Sequence, residues 1–227
     1  MYSLKAHLAL GLTLFLGYTS AQAGTTAVEV GAGTLGYTAN VTKQINSKLN
    51  VRLGGNYFSA DDDLTEDDVN YKAEVKSESI QALADWYPRA GGFRVTGGLM
   101  SNGNKIAVTA KPNANAQYNI NDQNYDGSEV GSLTGEIDFK SVAPYIGIGF
   151  GNPIAGNKRW SITSDLGVMA QGKPNARLTA TCGSAIAGTP TCTQLQSDVA
   201  AESVALQNDL SDFEWYPVAS IALTYRF

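Results

Sequence analysis

The feature that most constrains this chain is a two-residue hydropathy period that recurs along it and runs to its last residue. In FEWYPVASIALTYRF, the apolar residues Phe213, Trp215, Pro217, Ala219, Ile221, Leu223, Tyr225 and Phe227 alternate with Glu214, Tyr216, Val218, Ser220, Ala222, Thr224 and Arg226. Successive side chains of a strand point to opposite faces, so this is a strand with one large apolar face and one wetter face. The same pattern recurs in LGYTANVTK, LNVRLGGNYFS, SIQALADWYP, FRVTGGLMSN, VAPYIGIGFG and WSITSDLGVMAQ. Their apolar sets include Leu35, Tyr37 and Val41; Leu53 and Tyr57; Ile80 and Trp86; Phe93 and Leu99; Ile146 and Phe150; and Trp160, Ile162 and Leu166. Each stretch has the length that a tilted strand needs to cross hydrocarbon.

A membrane is the solvent that suits such faces. Lys5, the apolar core from Leu8 to Leu16 and the small-residue site Ala21-Gln22-Ala23 read as a secretory leader, so residues 1–23 are expected to be removed. The segment from 24 to 227 then forms one domain. It has no run of 18 apolar residues that would span a bilayer as a helix. A closed barrel is the other way to satisfy every backbone group in lipid. Gly (24), Tyr (11), Phe (7) and Trp (3) are plentiful, while charged residues make up 16%. A soluble β-sandwich also alternates, but it would turn polar side chains outward, not Trp, Tyr, Ile and Leu. Trp86, Tyr87, Phe93, Trp160, Trp215, Tyr225 and Phe227 fall at strand ends, where interfacial girdles would place them.

The connections alternate in length. QINSK, PRAGG and NPIAGNKR read as short periplasmic turns, and 61–69, 112–133 and 173–212 as long polar extracellular loops. Seven strands are clear, and start and end on one side of a membrane require an even number. TAVEVGAGT, from Thr26 to Thr34, supplies the missing one. The expected fold is therefore all-β, an eight-stranded antiparallel transmembrane barrel in the bacterial outer membrane. The last loop carries one short helix, with Leu195, Val199, Leu206 and Leu210 at helical spacing and its surroundings solvated.

Four stretches carry a resemblance: EVGAGTLGYTANV, VAPYIGIGFG, DLGVMAQGKPNARLT and FEWYPVASIALTYRF. They resemble the small Gram-negative outer-membrane barrels related to CarO, the carbapenem-associated ornithine-uptake protein. The resemblance implies an eight-stranded barrel and a route for basic amino acids.

Function classes narrow with the charges. The one histidine, His7, lies in the leader, so the domain lacks the commonest general base and metal ligand, and no enzyme chemistry is expected. A formal charge of −5 disfavours nucleic acid, whose phosphates need clustered Lys and Arg. No cofactor and no metal are expected. Asp122, Asn124 and Asp126 before Gly127 match half a calcium loop, but the twelfth position is Leu133 where Glu is needed.

Cys182 and Cys192 are expected to form a disulfide that stabilises by roughly 2–3 kcal/mol. Asp61, Asp62, Asp63, Glu66, Asp67 and Asp68 form an acidic loop, read as solvated or as a collector of cations. Arg52, Asp85, Arg94, Asp165 and Arg226 fall on the wet faces, so they are expected to pair inside the lumen, which eight strands leave barely wide enough for side chains. Tyr225 and Phe227 resemble the terminal signature read by the barrel-assembly machinery. Two readings follow: a narrow porin-like channel for small solutes, basic amino acids among them, or a structural and adhesive barrel with a plugged lumen. In the second, the loops meet lipopolysaccharide or other surface partners.

Overall fold

The computed structural model describes residues 24–66, 69–89, 91–111, 113, 117–156 and 158–227. The leader (1–23), Asp67 and Asp68 lie outside the described residues. The strands are β1 (Thr26–Gly33), β2 (Gly36–Asn46), β3 (Leu49–Glu66), β4 (Val69–Trp86), β5 (Phe93–Ser101), β6 (Lys105–Lys111), β7 (Gln117–Ile120) and β8 (Gln123–Asp126). They continue with β9 (Val130–Asp138), β10 (Val142–Phe150), β11 (Trp160–Ala170) and β12 (Asn175–Cys182), then helix α1 (Pro190–Asp209) and β13 (Trp215–Arg226).

Eight of these strands close a barrel in the order β1-β2-β3-β4-β5-β10-β11-β13, with β13 returning antiparallel to β1. The segment from Thr26 does supply the eighth strand. Closure extends to the final residue: the Gly24 amide donates to the Phe227 carbonyl at 2.6 Å, and the Phe227 amide to Thr26 at 3.1 Å. Ile80, Ile162 and Ile221 face outward at 72%, 64% and 60% exposure, while Thr96 and Thr224 face inward at 0%. Water would not tolerate a continuous apolar belt of this kind, and lipid requires it. At the turn end Trp160 stacks against Tyr225 (4.9 Å between centroids), Tyr225 against Phe227 (5.4 Å) and Phe93 against Phe150 (5.5 Å), as an interfacial girdle does.

The long connections are not polar loops. Beyond the rim, β3 and β4 continue as one hairpin, so Asp61, Asp62, Asp63 and Glu66 stand in a strand. β6, β9 and β12 add to it in turn. β4 changes partner at the rim, pairing with β5 through Gln81–Trp86 and with β6 through Asn70–Lys76. At the changeover the Gly103 amide donates to the Glu78 carbonyl (2.8 Å), and Ser77 bonds Asn104 (2.8 Å). Two of the eight barrel strands, β3 and β4, therefore rise past the rim and, with β6, β9 and β12, form a five-stranded sheet. Its outer face alternates charge, with Lys72 pairing Glu74 (2.8 Å), Lys76 pairing Glu78 and Lys105 pairing Glu136. Of the expected acidic collector, Asp63 stands opposite Lys72, while Asp61 stands opposite Glu74 and Asp62 opposite Ala73.

Apart from Asp62, which stands opposite Ala73, the lumen-side face of this wall is apolar: Ala73 and Val75 lie beside Val108 and Ile106, then Ile137, then Ala176 and Leu178. Helix α1 packs on β12. It begins at Pro190, five residues before the expected start, because a proline's missing N–H costs nothing in a first turn. Its surroundings are not solvent alone: Leu195 and Val199 are buried with Ile120, Tyr125, Val130 and Ile186. Cys182 and Cys192 are disulfide-bonded, tying β12 to the first turn of α1. Ser203 and Gln207 accept the outward amides of Leu178 (3.0 Å) and Ala176 (2.9 Å). An i, i+4 helical rise of about 6 Å nearly matches the two-residue step of a strand, so the helix closes the sheet edge as another strand would.

The calcium-like run folds as the tip and second strand of the β7–β8 hairpin. Asn121 and Asp122 take φ of 51° and 61°, the left-handed pair that a two-residue type I′ turn requires.

Candidate functional site

The lumen is filled in layers. Nearest the turn end, Arg52 on β3 makes a two-pronged contact with Asp165 on β11, Nη1 to Oδ2 at 2.8 Å and Nη2 to Oδ1 at 3.0 Å. Its Nη2 also donates to Asp85 on β4 at 3.1 Å. Arg94 on β5 reaches Asp165 at 2.9 Å and lies 3.5 Å from Asp85, while its other nitrogen donates to the Gly151 carbonyl. Thr96 donates to Asp85 at 2.7 Å. All four charged side chains are buried, and an unpaired charge there would be costly, so the mutual pairing is what allows them inside.

Two residues depart from the expected set. Arg226 has the lumen-side register but turns down to donate to the Ile154 and Gly156 carbonyls, both at 2.6 Å, so it caps the β10–β11 turn instead of joining the acids. It is the last residue of β13, where turn carbonyls are nearer than the lumen centre. Glu29 joins instead. It is buried on β1, 3.7 Å from Arg52, and accepts from Asn40 at 3.3 Å. Its signal in the sequence was an acid held between Val28 and Val30 in a strand interior. The layer therefore holds two guanidinium groups and three carboxylates.

Above it, Asn40, Asn56, Ser79 and Gln81 form an amide and hydroxyl network, with Gln81 donating to Asn40 at 2.6 Å and Asn56 to Ser79 at 2.8 Å. A gap of about 20 Å³ remains between Arg52, Asp165, Asn40 and Gln81, room for about one water. Toward the rim an apolar layer crosses the lumen: Leu35, Leu83, Met100, Ala143, Tyr145, Met169 and Val218. Leu35 was expected to face lipid. It lies in the β1–β2 turn, just before Gly36 (φ 95°), so the strand's alternation does not govern it and it folds into the mouth at 3% exposure. At the opposite end the β10–β11 turn tucks Ile154 beneath the barrel, also at 3% exposure.

Glycines make this filling fit. A Cβ on Gly149 would lie 2.7 Å from Arg94 Nε, and one on Gly147 or Gly167 would overlap the Tyr145 hydroxyl. The small inward positions of VAPYIGIGFG and WSITSDLGVMAQ are space for the Arg94 guanidinium of β5 and the Tyr145 phenol of β10.

Comparison with solved structures places this architecture. The crystal structure of Acinetobacter baumannii CarO aligns over 90% of this chain and 98% of its own, at 22% identity and a TM-score of 0.53. That of Acinetobacter baumannii CarO2 covers 89% and 97%, at 23% identity and a TM-score of 0.54. This chain shares the CarO fold. No family model matches the sequence, and no curated protein does. The likeness to CarO spans the wall beyond the rim as well as the barrel, since nearly the whole of both chains is aligned.

The disulfide, the acidic strand and the lumen charges are three separate places. Asp61, Asp62 and Asp63 stand on the wall above the rim, Cys182 and Cys192 at its far edge, and the charged layer near the turn end. Tyr225 and Phe227 lie in the aromatic girdle at the closing seam.

Proposed function

We propose that this protein is an integral outer-membrane barrel, exported by a cleaved leader, whose resting lumen is sealed and whose working surface is the wall beyond the rim. The observation that carries the reading is the filled lumen: a bonded charge layer, a polar network and an apolar layer in series, with a turn beneath. The barrel then displays the five-stranded wall and its helix to surface partners, lipopolysaccharide among them. Tyr225 and Phe227 serve its insertion by the assembly machinery. A narrow channel for basic amino acids is the competing reading, and it needs the charge layer to come apart in use.

Conductance of the refolded protein in planar bilayers separates the two, with folding verified by heat-shifted gel mobility. The sealed barrel predicts a silent membrane for the parent and also for Arg94→Ala, because the polar network and the apolar layer still close the lumen when the link between β5 and β11 is lost. Discrete steps from the parent, reduced by ornithine or lysine and not by glutamate, would refute the sealed reading and establish the channel.

A further inference from the structure

Between the lumen-side face of the wall, the β7–β8 hairpin and α1 lies a cleft of about 220 Å³, lined by Asn119, Ile120, Leu133, Leu178, Val199 and Glu202. Its floor is four aliphatic side chains, two of them, Ile120 and Val199, buried. An aliphatic floor of this kind favours an apolar guest, because covering it removes apolar surface from water. Its rim carries two acceptors. The Glu202 carboxylate has no ion pair among the described residues, and α1 contains no Lys or Arg to neutralise it. Asn119 commits its amide nitrogen to Asn124 at 3.1 Å, which leaves its carbonyl oxygen for a donor.

An aliphatic floor selects an apolar body, and a carboxylate with a carbonyl oxygen selects a cationic donor at its end. The volume lies below the roughly 300–1,000 Å³ of drug-sized sites, so the guest is a small molecule of fragment size. The cleft is framed by rigid parts: the disulfide fixes one end of α1 to β12, and Ser203 and Gln207 fix its middle and end to the same strand. We infer that this cleft binds a small primary amine with an apolar or aromatic body, the ammonium at Glu202 and Asn119 and the body over Leu133, Leu178, Ile120 and Val199. This deepens the reading of the wall as the working surface, and it places recognition outside the lumen.

The test uses the full barrel refolded in lipid nanodiscs, 2-phenylethylamine as probe, 2-phenylethanol as its neutral analogue and empty discs as baseline, read by ligand-observed NMR titration. The expected result is saturable amine binding above the empty discs. Glu202→Gln should weaken the amine about tenfold, as loss of a charge-assisted bond does, and leave the alcohol unchanged. Leu178→Trp should fill the cleft and abolish both. Should that variant misfold, Glu202→Lys, an exposed change, should repel the amine alone. No saturable uptake above empty discs, or equal amine affinity in the parent and both Glu202 variants, overturns the proposal. A silent bilayer without amine binding removes the cleft and leaves the sealed lumen standing. A conducting bilayer with amine binding does the reverse.

Discussion

Replacing Arg52 by Met tests whether the lumen is held by mutual pairing. Arg52 bridges Asp165 by two bonds of 2.8 and 3.0 Å and Asp85 by one of 3.1 Å, and it is the guanidinium nearest Glu29. Its loss leaves three buried carboxylates facing Arg94 alone. Methionine keeps the aliphatic volume, so the change is mainly electrostatic. Removing one partner from a buried pair costs about 3–5 kcal/mol, which is about two to nearly four orders of magnitude in the unfolding constant. The double variant Arg52→Met, Asp165→Leu removes one charge of each sign and returns the layer to its original balance. Arg94 is not stranded there, because it keeps Asp85 and the Gly151 carbonyl. The double variant is therefore expected to recover at least about 2 kcal/mol of the loss, since a buried pair replaced by apolar groups is often nearly neutral. Denaturant unfolding in lipid vesicles, followed by tryptophan fluorescence and heat-shifted mobility, measures both. A loss below about 1 kcal/mol in Arg52→Met, or a double variant less stable than each single, would refute the pairing argument.

Two further outcomes follow from other contacts. Gly149→Ala places a Cβ 2.7 Å from both Arg94 Nε and the Ser164 carbonyl and is expected to cost about 1–3 kcal/mol, whereas Gly97→Ala, with its nearest atom at 3.8 Å, should stay within about 0.5 kcal/mol; equal effects in the same unfolding assay would remove the space-making role. Outside the membrane, burial and then the bond to Asp198 push the Tyr125 hydroxyl up to about 12, while the bonds from Tyr125 and Asn121 hold Asp198 below the usual carboxylate range. The Tyr125 contribution to docking the β7–β8 hairpin is present below the ordinary tyrosine value of about 10 and lost as pH rises through about 12. The Asp198 contribution is present above the ordinary carboxylate range and lost as pH falls through its lowered value. A tyrosinate absorbance titration of the parent minus Tyr125→Phe reads the first directly, and ionisation near 10 would contradict the buried bond.

The sequence alone determined the barrel, because a period of two with Trp, Ile and Leu outward has one stable solution when every backbone group must be paired in lipid. It also determined the closing seam, since the alternation continues to Phe227 and the strand beginning at Thr26 supplies its partner. The disulfide was legible for a related local reason: two cysteines ten positions apart in an exported chain.

What it left undecided were properties of several strands at once. Glu29 and Arg52 come together, and Arg226 stays apart, because strand shear and distance from the rim decide which inward side chains meet. Leu35 enters the lumen because a turn releases it from the strand's parity. The wall beyond the rim was hidden for another reason. Its strands alternate Ala, Val and Ile with Lys, Thr and Glu, a weak contrast that reads as loop until β4 offers them a template to pair with. Local alternation sets which way a side chain points, but only the closed sheet sets what it points at.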